Sequence, residues 1–271
     1  MVGTTTIRFG GMFSSGDEAY SGSRKEDNPS SLVDIEWDRQ VWTLDLYHQA
    51  SARIGFGLTF PYMEQDVDNN TTGAEEHDAG ITDISGYLLF APWEEEGEHV
   101  DEFLSPHNIS FLVGLSLPTG NEQNGNAPAL HFGQLGSGSI DARVGVLYNA
   151  PVGDGFRAFA GMTLLMDGGP DTARFRNGVL TDMRIGASYQ PAPWASVFVT
   201  FNFIVREKNL SAGSALSESG GTWWFVEIGG SITPHGGWFV DVSVAIPIYR
   251  NVDGTQPVTD EIITAGAGYR F

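Results

Sequence analysis

Two short motifs carry opposite charges at alternate positions: Asp141-Ala142-Arg143 and Asp182-Met183-Arg184. Residues i and i+2 of a β-strand project from the same face, so each motif sets a carboxylate beside a guanidinium on one surface. Followed strand by strand, the same parity collects Arg8, Asp45, Asp83, Arg157, Asp167, Arg206, Glu227, Asp241 and Arg270. Two chemistries suit such a face. Fixed charges can set an electric field across an aqueous pore and select what passes, or neighbours of opposite sign can pair and brace a wall. With Arg53 counted near one rim, the set holds seven acids and seven bases. That balance favours pairing, with partial occlusion, over strong ion selectivity.

Other chemistries find little support. Cysteine is absent, which removes thiolate metal sites, disulfides and thiol nucleophiles. The six histidines, His48, His77, His99, His107, His131 and His235, lie outside any nucleophile motif of the G-x-S-x-G kind, so no catalytic residue is assigned. The acidic run Asp66-Val67-Asp68-Asn69-Asn70 has the alternating oxygens of a calcium loop. Thr71 and His77, however, stand where such a loop needs Gly and Glu. No metal or cofactor is expected. A formal charge of −20 opposes nucleic-acid binding, which needs a basic footprint.

The elements that must position the charged face are strands. Ile54, Phe56, Leu58, Phe60 and Tyr62 interleave with Gly55, Gly57, Thr59 and Pro61, and Val240, Val242, Val244, Ile246 and Ile248 interleave with Asp241, Ser243, Ala245 and Pro247. Period-two runs of this kind argue half-buried strands. Their length, mostly ten residues or more, suits tilted strands crossing a bilayer better than the five or six residues usual in soluble sheets. About twelve are expected, near 4–13, 39–49, 53–65, 79–91, 108–118, 138–149, 155–167, 178–190, 195–206, 222–233, 238–250 and 258–271. No apolar run is long enough for a membrane-spanning helix.

The connections alternate between tight turns and longer polar segments, the asymmetry of outer-membrane barrels. Leu89, Leu147, Phe159, Leu165, Phe198, Phe225 and Phe239 add apolar surface to the charged face. Trp42, Tyr62, Trp93, Tyr148, Tyr189, Trp194, Trp224, Trp238 and Tyr269 fall towards strand ends, as in an interfacial aromatic belt. The chain ends on a strand whose apolar parity reaches Tyr269 and Phe271. The fold expected is therefore all-β: a single transmembrane antiparallel β-barrel of about twelve strands, residues 1–271 forming one domain in the cell outer membrane. No signal peptide stands at Met1, so a mature form is expected.

Several local motifs, in order, carry a family resemblance. They are Leu58-Thr59-Phe60-Pro61-Tyr62, Gly80-Ile81-Thr82-Asp83-Ile84, Leu115-Ser116-Leu117-Pro118-Thr119-Gly120 and Leu135-Gly136-Ser137-Gly138-Ser139-Ile140-Asp141. Ile246-Pro247-Ile248-Tyr249, Gly254-Thr255-Gln256 and the terminal Tyr269-Arg270-Phe271 complete the set. Together they resemble the outer-membrane barrel family associated with the meta-pathway of phenol degradation. The resemblance implies a non-enzymatic barrel that passes small hydrophobic or aromatic molecules. Its expected partners are the lipid bilayer, lipopolysaccharide and the solute. The pattern departs at residues 92–107, whose acidic run Glu94-Glu95-Glu96-Gly97-Glu98 supports an alternative: a non-conducting barrel that scaffolds an envelope complex by docking a periplasmic or outer-membrane protein.

Overall fold

A computed structural model of the chain describes residues 3–27, 34–92, 108–120, 135–171, 174–234 and 236–271. Twelve long strands form one closed antiparallel barrel. They are β1 (Thr4–Gly16), β2 (Ile35–Ser51), β3 (Ile54–Asn69), β4 (Ala74–Ile81 continued by Ile84–Phe90), β5 (Asn108–Leu117) and β6 (Asp141–Gly153). The circle continues through β7 (Phe156–Met166), β8 (Leu180–Ala192), β9 (Ala195–Arg206), β10 (Gly221–Ile232), β11 (Trp238–Pro257) and β12 (Ile262–Arg270). Each pairs with its sequence neighbours. β12 returns to β1 in a register running from Thr6↔Arg270 to Ser14↔Ile262, which leaves no free edge among these strands.

The alternation in sequence becomes an inside and an outside. Outward-facing Phe9, Val113, Ile185, Ile228 and Val240 are each more than half exposed, whereas inward-facing Thr200, Ser243, Asp141 and Asn149 are buried. This is inverted relative to a water-soluble core. A continuous apolar exterior of this extent exceeds the few hundred Å² that soluble monomers leave open, and hydrocarbon is the solvent that suits it. The apolar band has limits. On β2 the outward residues change from Leu44 and Trp42 to Gln40, Asp38 and Glu36, and on β3 from Phe60 and Tyr62 to Glu64, Asp66 and Asp68. There β2 and β3 rise beyond the band, further than sequence periodicity alone predicts.

Belt residues mark the same boundaries. Trp194, Trp238, Tyr62, Tyr148 and Tyr189 are exposed on the outer face, and Trp42 stacks on Phe9 with ring centroids 5.7 Å apart. At the short-turn rim, Gly155 links β6 to β7 with φ +74°, a left-handed conformation that glycine adopts without Cβ strain. At the other rim, Ala19–Gly22 pairs with the far end of β11, and Phe175–Arg176, Leu210–Ser211 and Ser214–Ala215 form a small separate sheet. β12 begins four residues later than its sequence pattern suggests. Residues 258–261 instead fold back towards β1, with Val258 N–H donating to Glu18 O and Asp260 N–H to Ser15 O.

Candidate functional site

The lumen holds the charged residues in three distinct arrangements. The first is an ion-paired clamp across the closure. Arg8 on β1 lies opposite Asp45 on β2, and its guanidinium crosses β12 to reach Asp241 on β11. Its Nε donates to Asp241 Oδ1 at 3.0 Å, Nη2 to Oδ2 at 2.7 Å, and Nη1 to Asp45 Oδ2 at 3.3 Å. The two-point contact with Asp241 is the planar fork that guanidinium and carboxylate form best. Asp45 also accepts from the Thr43 and Thr59 hydroxyls at 3.0 and 2.9 Å. The guanidinium can lie flat over β12 because position 266 is glycine. A Cβ there would stand 2.5 Å from Nη2.

The second arrangement ties connecting segments to the wall through carboxylates and backbone N–H groups. β4 is interrupted at Thr82 and Asp83. From that break Asp83 accepts Gly120 N–H at 2.9 Å and Ser137 N–H at 2.6 Å. Thr119 Oγ1 accepts Ile84 N–H at 2.9 Å and donates to Thr82 O at 3.1 Å. Gly120 and Gly136 meet back to back, and a Cβ on either would fall within 3 Å of the other's backbone. Nearby, the Ser139 hydroxyl lies 2.6 Å from Asp141 Oδ1 and 2.7 Å from Asp167 Oδ1, with one proton to give to the two. Asp167 also accepts Gly169 N–H at 3.1 Å and Asn177 N–H at 2.7 Å.

The third arrangement is a set of arginines without an ion pair. Arg143, Arg184 and Arg206 are exposed towards the lumen and, among the described residues, have no carboxylate within 4.0 Å. Arg143 lines a cavity of about 380 Å³ with Thr59, Tyr87, Asp83, Asp141 and Leu165. Glu227 accepts Asn202 Nδ2 at 3.0 Å, and Asp182, on β8 beside Arg184, is half-buried. Arg157 faces inward near the short-turn rim, in register with Pro151 and Ser188. Arg270 ends β12, its backbone N–H donating to Gly237 O.

Aromatic side chains fill part of the remaining bore by lying against lumen-facing glycines. Tyr87 covers Gly57, Tyr47 covers Gly55, Phe198 covers Gly229 and Phe239 covers Gly268, each so close that a Cβ would collide with the ring.

Residues 16–250 match the family model described as "Putative MetA-pathway of phenol degradation". The chain belongs to this family. No curated protein matches it. Among solved structures it resembles an outer membrane channel from Pseudomonas putida F1, with TM-score 0.79 and 16% identity over 100% of this chain and 96% of that one. It also resembles the translocator domain of the autotransporter NalP from Neisseria meningitidis, with TM-score 0.56 and 11% identity over 100% and 89% of the two chains. The transport unit of the autotransporter AIDA-I from Escherichia coli gives TM-score 0.54 and 13% identity over 99% and 90%. At these identities the likeness is one of fold.

The family motifs now have places. Leu115–Gly120 and Leu135–Asp141 are the two segments that Asp83 pins, and Gly80–Ile84 supplies the break that frees Asp83 to do so. Of the thirteen charged residues expected to line or brace the lumen, Arg8, Asp45 and Asp241 come together as ion pairs. Asp83, Asp141, Asp167 and Glu227 accept neutral donors instead.

Arg39 shares the inward parity of Asp45 but, standing at the first residue of the expected strand 39–49, is not among the thirteen residues singled out from the sequence. Its Nε donates to the buried Gln65 Oε1 at 2.7 Å, and its guanidinium lies 5.3 Å from the Trp37 ring centroid. Arg39 stands beyond the apolar band. Burial, reinforced by the nearby Arg206, holds its pKa below the ordinary guanidinium value. Trp93, the Glu94–Glu98 run, His99, His107, His131 and His235 lie outside the described residues. Among the described residues, no group of three or more His, Cys, Asp or Glu side chains is placed to hold a metal ion.

Proposed function

We propose that the chain is an outer-membrane channel through whose lumen small, mainly hydrophobic or aromatic molecules enter passively. The observation that carries this reading is the inverted barrel: an apolar exterior surrounds a lumen that combines charged groups, aromatic rings and a cavity beside Arg143. Membership of the phenol-degradation family supports it, as does the likeness to a protein described as an outer membrane channel. In this orientation the long-loop rim faces outward, and Glu64, Asp66 and Asp68 of β3 meet the lipopolysaccharide layer above the Tyr62 level. Passage needs no energy coupling and no cofactor, because the solute moves down its own gradient.

The test is uptake across a lipopolysaccharide-containing membrane, which retards apolar solutes by itself. Asymmetric vesicles carrying the folded protein should take up radiolabelled phenol several-fold faster than empty vesicles. Equal rates, with protein whose gel mobility shifts on boiling as a folded barrel's does, would count against transport.

A further inference from the structure

The acids and bases of the lumen are used unequally. Asp45 and Asp241 are engaged by Arg8, and Asp83, Asp141, Asp167 and Glu227 each accept hydrogen bonds from backbone or neutral side-chain donors. Among the described residues, the side chains of Arg143, Arg184 and Arg206 make no hydrogen bond or ion pair, and all three are exposed. They also share one sector of the wall. Arg143 on β6 is in register with Leu165 on β7, Leu165 with Leu180 on β8, and Leu180 with Arg206 on β9. Arg184 lies on a neighbouring row with Leu147, Asn202 and Phe225. At about 4.8 Å per strand, Arg143 and Arg206 are about 14 Å apart around the wall, with the apolar Leu165 and Leu180 between them.

We propose that the β6–β9 wall is the specificity surface of the passage and favours small organic anions, a carboxylate or phenolate on an apolar body. Guanidinium groups whose donors are unspent can meet an acidic oxygen bidentately, while Leu147, Leu165, Leu180 and Phe225 offer contact to an apolar body. The carboxylates have their lone pairs partly taken, and Asp141 and Asp167 are buried in the wall, so a cation finds few free acceptors. Asp182 is the lumen acid on this sector that has no partner among the described residues, and it trims the positive field. Glu76 and Asp78 face inward on β4, four and five strands around the barrel from β8 and β9. The inference rests on the passage reading above.

The test uses the full chain in planar bilayers. Under a tenfold KCl gradient the reversal potential should give an anion-over-cation permeability ratio of roughly 3 or more, and benzoate should carry current more readily than benzylammonium. The triple variant R143Q/R184Q/R206Q should lose this preference, and D182N should raise it. If the triple variant fails to show the mobility shift of a folded barrel, R143Q and R184Q singly should each remove part of the preference, with R143K retaining it. Conductance without anion preference, or a folded triple variant with the preference intact, overturns this inference alone. No conductance of any kind, with phenol uptake into vesicles intact, overturns this inference alone, whereas loss of that uptake overturns the passage reading and this inference with it.

Discussion

At the residue scale, the lumen shows how differently one charge behaves according to what stands opposite. Arg8 serves two acids from one guanidinium, so its loss and the loss of an acid are unequal events. Arg8→Ala leaves Asp45 and Asp241 facing each other across Gly266, half-buried and without a cation. Asp241→Asn keeps a hydrogen-bond acceptor and the Arg8–Asp45 contact. Both sites retain solvent access, so the cost lies below that of a fully buried pair. Arg8→Ala should lower unfolding stability by about 1–3 kcal/mol and Asp241→Asn by about half of that. The measurement is denaturant unfolding followed by tryptophan fluorescence in detergent, and equal effects would count against the clamp. His77 offers a second check, on the extension beyond the apolar band. Its Nδ1 lies 2.6 Å from Asp66 Oδ1, and that contact raises its pKa above the ordinary histidine value. A raised folded-state value means the interaction contributes fully below about pH 6.5. It is lost as pH rises through the higher folded-state pKa. An NMR titration should therefore place His77 above free histidine, and Asp66→Asn should return it towards the ordinary value.

Elements were legible wherever the two faces of a strand differ in solvent. Twelve strands, their order and the inward parity of Asp141, Arg143, Asp182 and Arg184 follow from period-two alternation, because a one-residue slip would place those charges in hydrocarbon. The alternation says nothing once both faces meet water. That is why β2 begins at Ile35 and β11 runs to Pro257, beyond the expected 39 and 250, and why Arg39, on the parity of Asp45 but at the expected strand end, is not singled out from the sequence. The partners of Asp83 were illegible for another reason. Ser137 lies 54 residues away and Gly120 lies 37 away, and both offer a backbone N–H, which has no side-chain signature. The motifs Pro118-Thr119-Gly120 and Leu135-Gly136-Ser137 showed that something was required there, without showing what. Asp83→Ala should release both segments together. The amides of Gly120 and Ser137 should then exchange with solvent at least about tenfold faster, while those of β7 and β8 stay protected. Exchange that rises at only one of the two segments would separate them and refute a shared anchor.

For the whole molecule, the decisive property is that stability must depend on depth along the outer wall. Val242 faces outward in the middle of the β11 band, flanked by Val240 and Val244. Gln40 faces outward on β2 just past Trp42, where the exterior has already turned polar. In water the two positions would tolerate arginine about equally, since both are exposed. In a bilayer they cannot, because a guanidinium near the midplane of the lipid face costs about 2–4 kcal/mol, falling to about 0–1 near the interface. Val242→Arg should therefore destabilise the barrel refolded into lipid vesicles by about that larger amount, and Gln40→Arg should leave the unfolding midpoint nearly unchanged. The same pair in detergent should differ less, because a micelle deforms around a charge more readily than a bilayer does. A Val242→Arg variant as stable in vesicles as the parent would mean that the apolar wall faces something other than hydrocarbon.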